Sequence, residues 1–191
     1  MSYGGDAYLD TQHRRLFVVD SDPDAVGPDL QGAPNYSVMT PIVVLRNPLG
    51  SGQRAIIKEF LLHQQNTPAG LVHVRAMLDR ADTYVDLSGT SRTAYSTNGI
   101  TNPTTAFEIY DEEPDLEDVG HVDDNGNTSA PRSVGFRSFA IGAGDTSGTP
   151  IGGGCVVEPG QTCAFYLWSV GGATHITGRY QLRFLREIIQ S

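Results

Sequence analysis

Residues 71–78, LVHVRAML, put Val72, Val74, Ala76 and Leu78 on one side of an extended chain and His73 and Arg75 on the other. This period of two constrains the fold more than any other feature, because a chain that repeats it in short segments must build sheets. Further short apolar or alternating runs are RLFVVD (15–20), YSVMTPIVVLRN (36–47), RAIIKEFLLHQQ (54–65), TAFEIY (105–110), SVGFRSFAI (133–141) and GGCVV (153–157). CAFYLWSV (163–170) is apolar on both faces, as a central strand buried on both sides must be. GRYQLRFLREII (178–189) alternates again, with Tyr180, Leu182 and Phe184 inward and Arg179, Gln181 and Arg183 outward. Turn residues punctuate these runs, and no amphipathic helices alternate with them, which argues against a parallel α/β sheet. The expectation is an all-β chain, an antiparallel β-sandwich or jelly roll with an extended N-terminal arm and long loops.

A chain of 191 residues suits one domain with a substantial core. Residues 1–35 are polar and broken by Pro and Gly, and are expected as an arm, with the sandwich domain over 36–191. Pro41 restricts the strand around it to a sheet edge or a bulge. The long stretches 82–104 and 111–132 exceed ordinary hairpin loops. The opening MSYGGDAYLDTQHRR lacks the apolar run of a secretory leader, and no run approaches the roughly 18 residues needed to span a bilayer. Synthesis in a cytoplasm with no membrane partner is expected.

Charge is concentrated. Of the 22 acids, nine fall between Glu108 and Asp124, where no Lys or Arg occurs, and 13 acids remain against 13 bases elsewhere. The net charge of −9 therefore resides in one segment, which repels nucleic acid. It reads as a solvated acidic loop, with a cation or basic partner as the alternative. Within it Asp123, Asp124, Asn125 and Asn127 are weak calcium candidates, since Thr128 stands where an EF-hand loop needs glycine.

Motifs for chemistry are sparse. In NPLGSGQR (47–54) the last glycine is followed by Gln53 and Arg54, not the Lys-Ser/Thr of a phosphate loop, so the stretch reads as a hairpin turn with glycines at positive φ. GAGDTSG (142–148) reads as a flexible loop. The five histidines are dispersed, and His73 is expected on a solvent face. No catalytic residue, cofactor or resident metal is expected. Cys155 and Cys163 flank a second expected hairpin, at Pro159-Gly160. That spacing leaves a disulfide open in an oxidising setting, while free thiols are expected in a cytoplasm. Tyr84 and Tyr95, set among Ser, Thr, Asn and Gly, and Arg14 and Arg15 in the arm are candidate contact residues.

Two stretches carry a resemblance. VVLRNPLGSGQRAIIKEFLL (43–62) resembles the strand-Asn-Pro-x-x-Ser-Gly-basic-strand unit near the start of small jelly-roll virion proteins of tailed bacteriophages. GGGCVVEPGQTCAFYLWSVGGATHITGRYQLRFLRE (152–187) resembles the Pro-Gly turn, aromatic strand and closing strand near their C-terminus. The resemblance implies a non-enzymatic capsid decoration (cement) protein of the virion that binds the major capsid protein as a homotrimer or other homo-oligomer. The alternative expectation is a carbohydrate- or receptor-binding β-sandwich module of a tail or fibre.

Overall fold

The computed structural model describes residues 14–21, 41–64, 71–80, 89–97, 105–111, 132–139, 146–169 and 178–189. Every regular element among them is a strand: β1 (Arg14–Asp20), β2 (Pro41–Asn47), β3 (Gln53–Gln64), β4 (Val72–Asp79), β5 (Thr90–Ser91), β6 (Tyr95–Ser96), β7 (Glu108–Asp111), β8 (Arg132–Phe139), β9 (Thr146–Val157), β10 (Gln161–Ser169) and β11 (Gly178–Ile188).

The strands form two antiparallel sheets that pack as a sandwich. One has the order β6-β1-β11-β3-β9 and the other β5-β7-β2-β10-β4-β8. Eight long strands pair in a nested way: β1 with β11, β2 with β10, β3 with β9 and β4 with β8. That nesting is a double-stranded ribbon rolled over on itself, the jelly roll. The stretch between β4 and β8 contributes β6 to the edge of the five-stranded sheet and β5 and β7 to the edge of the six-stranded one.

Alternation explains the core. Phe17, Val19, Phe60, Leu62, Leu182 and Phe184 from one sheet meet Val43, Leu45, Val72, Val74, Phe165 and Leu167 from the other, all nearly inaccessible to water. Phe60 stacks on Phe165 across the layers at 5.0 Å between ring centroids. Phe107 meets Phe184 edge-on at 5.4 Å. Each such aromatic buries enough surface that truncation to alanine costs about 3–5 kcal/mol.

Several expectations need correction. Arg14–Asp20 is not part of an arm: β1 sits between β6 and β11, with Phe17 and Val19 in the core. Pro41 does not mark an edge, since β2 lies between β7 and β10. It begins the strand opposite a register shift at Phe165/Tyr166, the bulge that the proline also permits. Thr146–Gly148, expected in a loop, opens β9.

The two expected hairpins are arches. The turn after Asn47 carries the chain from β2 in the six-stranded sheet to β3 in the five-stranded one, and the turn at Pro159-Gly160 carries it back from β9 to β10. Positive φ at Gly50 and Gly52 is present as expected, and Gly160 in the second arch has it too.

The six-stranded sheet buries both of its faces along β10. Besides the core side, the in-register residues Val44, Ala164 and Met77 are buried on the reverse side, as is Tyr166. His73, expected in solvent, shares that reverse side and is half-buried.

Candidate functional site

The outer face of the five-stranded sheet has an ordered composition that follows from strand register, because paired residues in an antiparallel sheet point to the same side. One row runs Leu16, Leu185, Ile56, Val156 across β1, β11, β3 and β9. It is an apolar stripe four strands wide, buried at Leu185 and half-buried at the other three. The next row runs Tyr95, Val18, Arg183, Glu59, with Pro150 at the far register position. Tyr95 is 63% exposed, an aromatic held out to solvent by a two-residue edge strand. On the other side of the stripe Glu187 and Arg54 share a row, with Arg14 in backbone register with Glu187.

Hydrogen bonds orient this face. Arg183 donates from Nε to Gln181 Oε1 at 2.6 Å and from a terminal nitrogen to Glu59 at 3.1 Å, and Gln181 Nε2 donates to Asp20 at 2.8 Å. Arg54 bonds Glu187 at 2.5 Å and reaches Glu158 at 3.4 Å. These pairs are half-exposed, so each contributes little to stability, yet together they restrict the side-chain orientations a partner would meet.

Farther along the same face, a shallow depression of about 210 Å³ is lined by Asp20, Leu61, His63, Thr146, Arg179, Tyr180 and Gln181. His63 Nδ1 and Thr146 Oγ1 lie 2.9 Å apart there. Asp20, Gln181, Leu61 and Gly148 form its row, next to the row of Tyr95.

At one end of the sandwich the two arches are locked by Asn47, which is fully buried. Its amide donates to Gln53 O at 2.8 Å and Val157 O at 3.0 Å, and its Oδ1 accepts from Ser51 Oγ at 2.6 Å. Its main-chain oxygen accepts from Gly160 N at 2.7 Å. One side chain thus satisfies a carbonyl in each arch. Leu49, at the tip of the first arch, is 78% exposed. The exposed Ile189 bonds through its N–H to Gly52 O in that arch, and Ile188 beside it is exposed too.

A second buried polar cluster ties the strap 89–97 to both sheets. Asp111, 1% exposed, accepts Arg92 Nε at 2.7 and 2.8 Å and the Tyr180 hydroxyl at 2.7 Å. Burial, then the Asp111 charge, pushes the Tyr180 phenol far above its ordinary value. Burial pulls His73 below its ordinary value.

The sequence-predicted residues fare unevenly. Tyr95 lies on the outer face; Arg14 and Arg15 lie in β1, in register with Glu187 and Arg186. Cys155 and Cys163 are free, buried and in opposite sheets. Tyr84 and the calcium candidates Asp123, Asp124, Asn125 and Asn127 lie outside the described residues. Two members of the acidic segment prove to be ion-paired strand residues: Asp111, above, and Glu108, which meets Arg46 at 2.7 Å. The solvated-loop reading therefore does not hold for them.

Sequence reasoning missed Asn47 as a lock and Arg92 as the partner of Asp111. The Asn-Pro preceding the glycines was the available signal for the first. Nothing local signals the second.

Comparison of the chain with family models, with curated proteins and with solved structures returns no match.

Proposed function

We propose that this jelly roll is a non-enzymatic structural protein of a virion, a capsid decoration protein that binds and stabilises the lattice of the major capsid protein. The observation that carries the reading is the outer face of the five-stranded sheet. Its four-strand apolar stripe Leu16–Leu185–Ile56–Val156 is bordered by the Arg183–Glu59 and Arg54–Glu187 pairs and by the exposed Tyr95. Arginine and aromatic groups around an apolar centre are the composition of protein-binding surfaces. The resemblance of the Asn-Pro-Leu-Gly-Ser-Gly arch and of the closing strands to small phage virion proteins supplies the kind of partner, and a homotrimer would match local three-fold positions on a shell. The jelly roll itself hosts unrelated functions and does not choose among them.

The test is co-sedimentation of the purified chain with shells assembled from the major capsid protein, together with calorimetry of the decorated shell. Saturable binding and a raised shell melting temperature support the reading. Ile56→Asp and Tyr95→Ala on the outer face should abolish or weaken binding while the chain stays folded. Binding that ignores both substitutions, or no binding at all, overturns it.

A second reading is favoured by one observation, the depression whose polar groups Asp20 and Gln181 lie one row from Tyr95, with His63 and Thr146 in the row beyond. Polar groups beside a flat aromatic suit a sugar, and the chain would then be a glycan-binding module. Glycan-array binding lost in Gln181→Ala and in Tyr95→Ala would support it.

A further inference from the structure

Cys155 lies in β9, in register with Ile57, and Cys163 lies in β10, in register with Leu45 and Leu78. Both belong to the core, at 5% and 0% exposure. Facing sheets stand about 10 Å apart in mid-sandwich, too far for most inter-sheet cysteine pairs to bridge. This pair escapes that limit because the strands converge at their arch, closed by the Gln161 N–H donating to Glu158 O at 3.0 Å. Cys155 and Cys163 are each separated by two residues from the arch 158–160, and both belong to the core between the sheets. Cys163 holds the Cys155 thiol below its ordinary value, with Arg80 assisting, while Cys155 and burial push the Cys163 thiol well up.

The neighbourhood offers a way in. β9 is the outermost strand of its sheet. Its ladder with β3 jumps from Ile57–Cys155 to Glu59–Pro150, so the stretch Ile151-Gly152-Gly153-Gly154 runs without register partners opposite Lys58. A glycine-rich, unladdered edge opens locally at low free-energy cost, and Cys155 is the first residue beyond it.

We propose that Cys155 and Cys163 are a poised dithiol that closes into an inter-sheet disulfide when the protein meets an oxidising thiol–disulfide pool. The Cys155 thiolate attacks one sulfur of an external disulfide such as oxidised glutathione, forming a mixed disulfide and releasing one glutathione thiolate. The Cys163 thiolate then attacks the Cys155 sulfur and expels the second. Two protein thiols are oxidised, one external disulfide is reduced, and the two protons pass to the two leaving thiolates. The bond fastens the loosened edge of one sheet to the centre of the other. A chain reduced where it is made is thereby stiffened after release.

The experiment incubates the purified full chain with oxidised glutathione under native conditions, quenches by alkylation and reads intact mass and melting temperature. The expected product is about 2 Da lighter than the reduced chain and carries no adduct. Its melting temperature should rise by on the order of 5 °C. Cys163→Ala should stop at a stable glutathione adduct, and Cys155→Ala should react at least about tenfold more slowly. The wild-type result decides even if either variant folds poorly. The proposal is overturned if native wild type stays reduced while urea-unfolded chain reacts. A persistent mixed disulfide in wild type, or a closed disulfide that leaves the melting temperature unchanged or lower, also overturns it.

Discussion

The Tyr180 hydroxyl, on a strand of the five-stranded sheet, donates a 2.7 Å hydrogen bond to Asp111 in the six-stranded sheet, so a single buried contact spans the sandwich. Tyr180→Phe should cost about 1–3 kcal/mol, because a buried carboxylate loses a donor. Asp111→Ala should cost more, about 3–5 kcal/mol, because it strips the Arg92 guanidinium of its buried partner. Urea unfolding of each variant measures both.

The same contact predicts an alkaline limit. In the folded chain the Tyr180 phenol resists ionisation, first because it is buried and then because Asp111 is negative. Below pH 10 folded and unfolded chains both keep the proton, so the stabilisation is fully present. Above that, the unfolded chain loses it while the folded one does not, and stability falls as pH rises. Tyr180→Phe should flatten this fall in denaturation curves taken between pH 9 and about 11.

On the acid side His73 acts in the opposite sense. Burial lowers its folded value, so below about pH 6.5 the unfolded imidazole takes a proton that the folded one refuses. Stability should decline as pH falls through that point, and His73→Gln should reduce the slope. Unfolding free energies at several pH values from 8 down to about 5 provide the check.

Asn47 should be the most sensitive polar position in the arches. Asn47→Ala removes donors from two main-chain carbonyls and the acceptor of Ser51, a loss of about 3 kcal/mol. Ser51→Ala removes only the hydroxyl and should cost about 1 kcal/mol. Melting temperatures of the two variants rank them.

Gly50 separates backbone strain from packing. Its φ is +81°, and an added Cβ would meet nothing within 4 Å. Gly50→Ala should therefore cost about 1–2 kcal/mol through conformation alone, and Gly50→Asn less, since asparagine tolerates the left-handed region. Equal losses in the two variants would contradict that account.

The fold was legible where the signal is local. The alternation in β4 and β11 and the two-sided apolarity of β10 each report the burial of a strand directly, and each holds. β1 was obscured because its seven residues are flanked by polar, proline-rich chain, and only pairing with β11, far away in sequence, makes it a core strand. The arches were misread for a related reason. Asn-Pro and positive-φ glycines turn a chain equally well within one sheet or between two, and the choice depends on the neighbours that β2, β3, β9 and β10 find elsewhere. The candidate face was legible only as single residues, since its rows exist once distant strands are in register. Arg92 and Asp111 are 19 residues apart with no motif joining them.

The nested pairing has a consequence for biosynthesis. β11 lies between β1 and β3, so the slot left for it stays vacant until nearly the whole roll has been translated. Growth from the ribosome is vectorial, and the earlier strands must wait with two open flanks, exposed to mispairing and to capture by chaperones. Folding of this chain should be governed by the arrival of one late strand rather than by any early nucleus of neighbours.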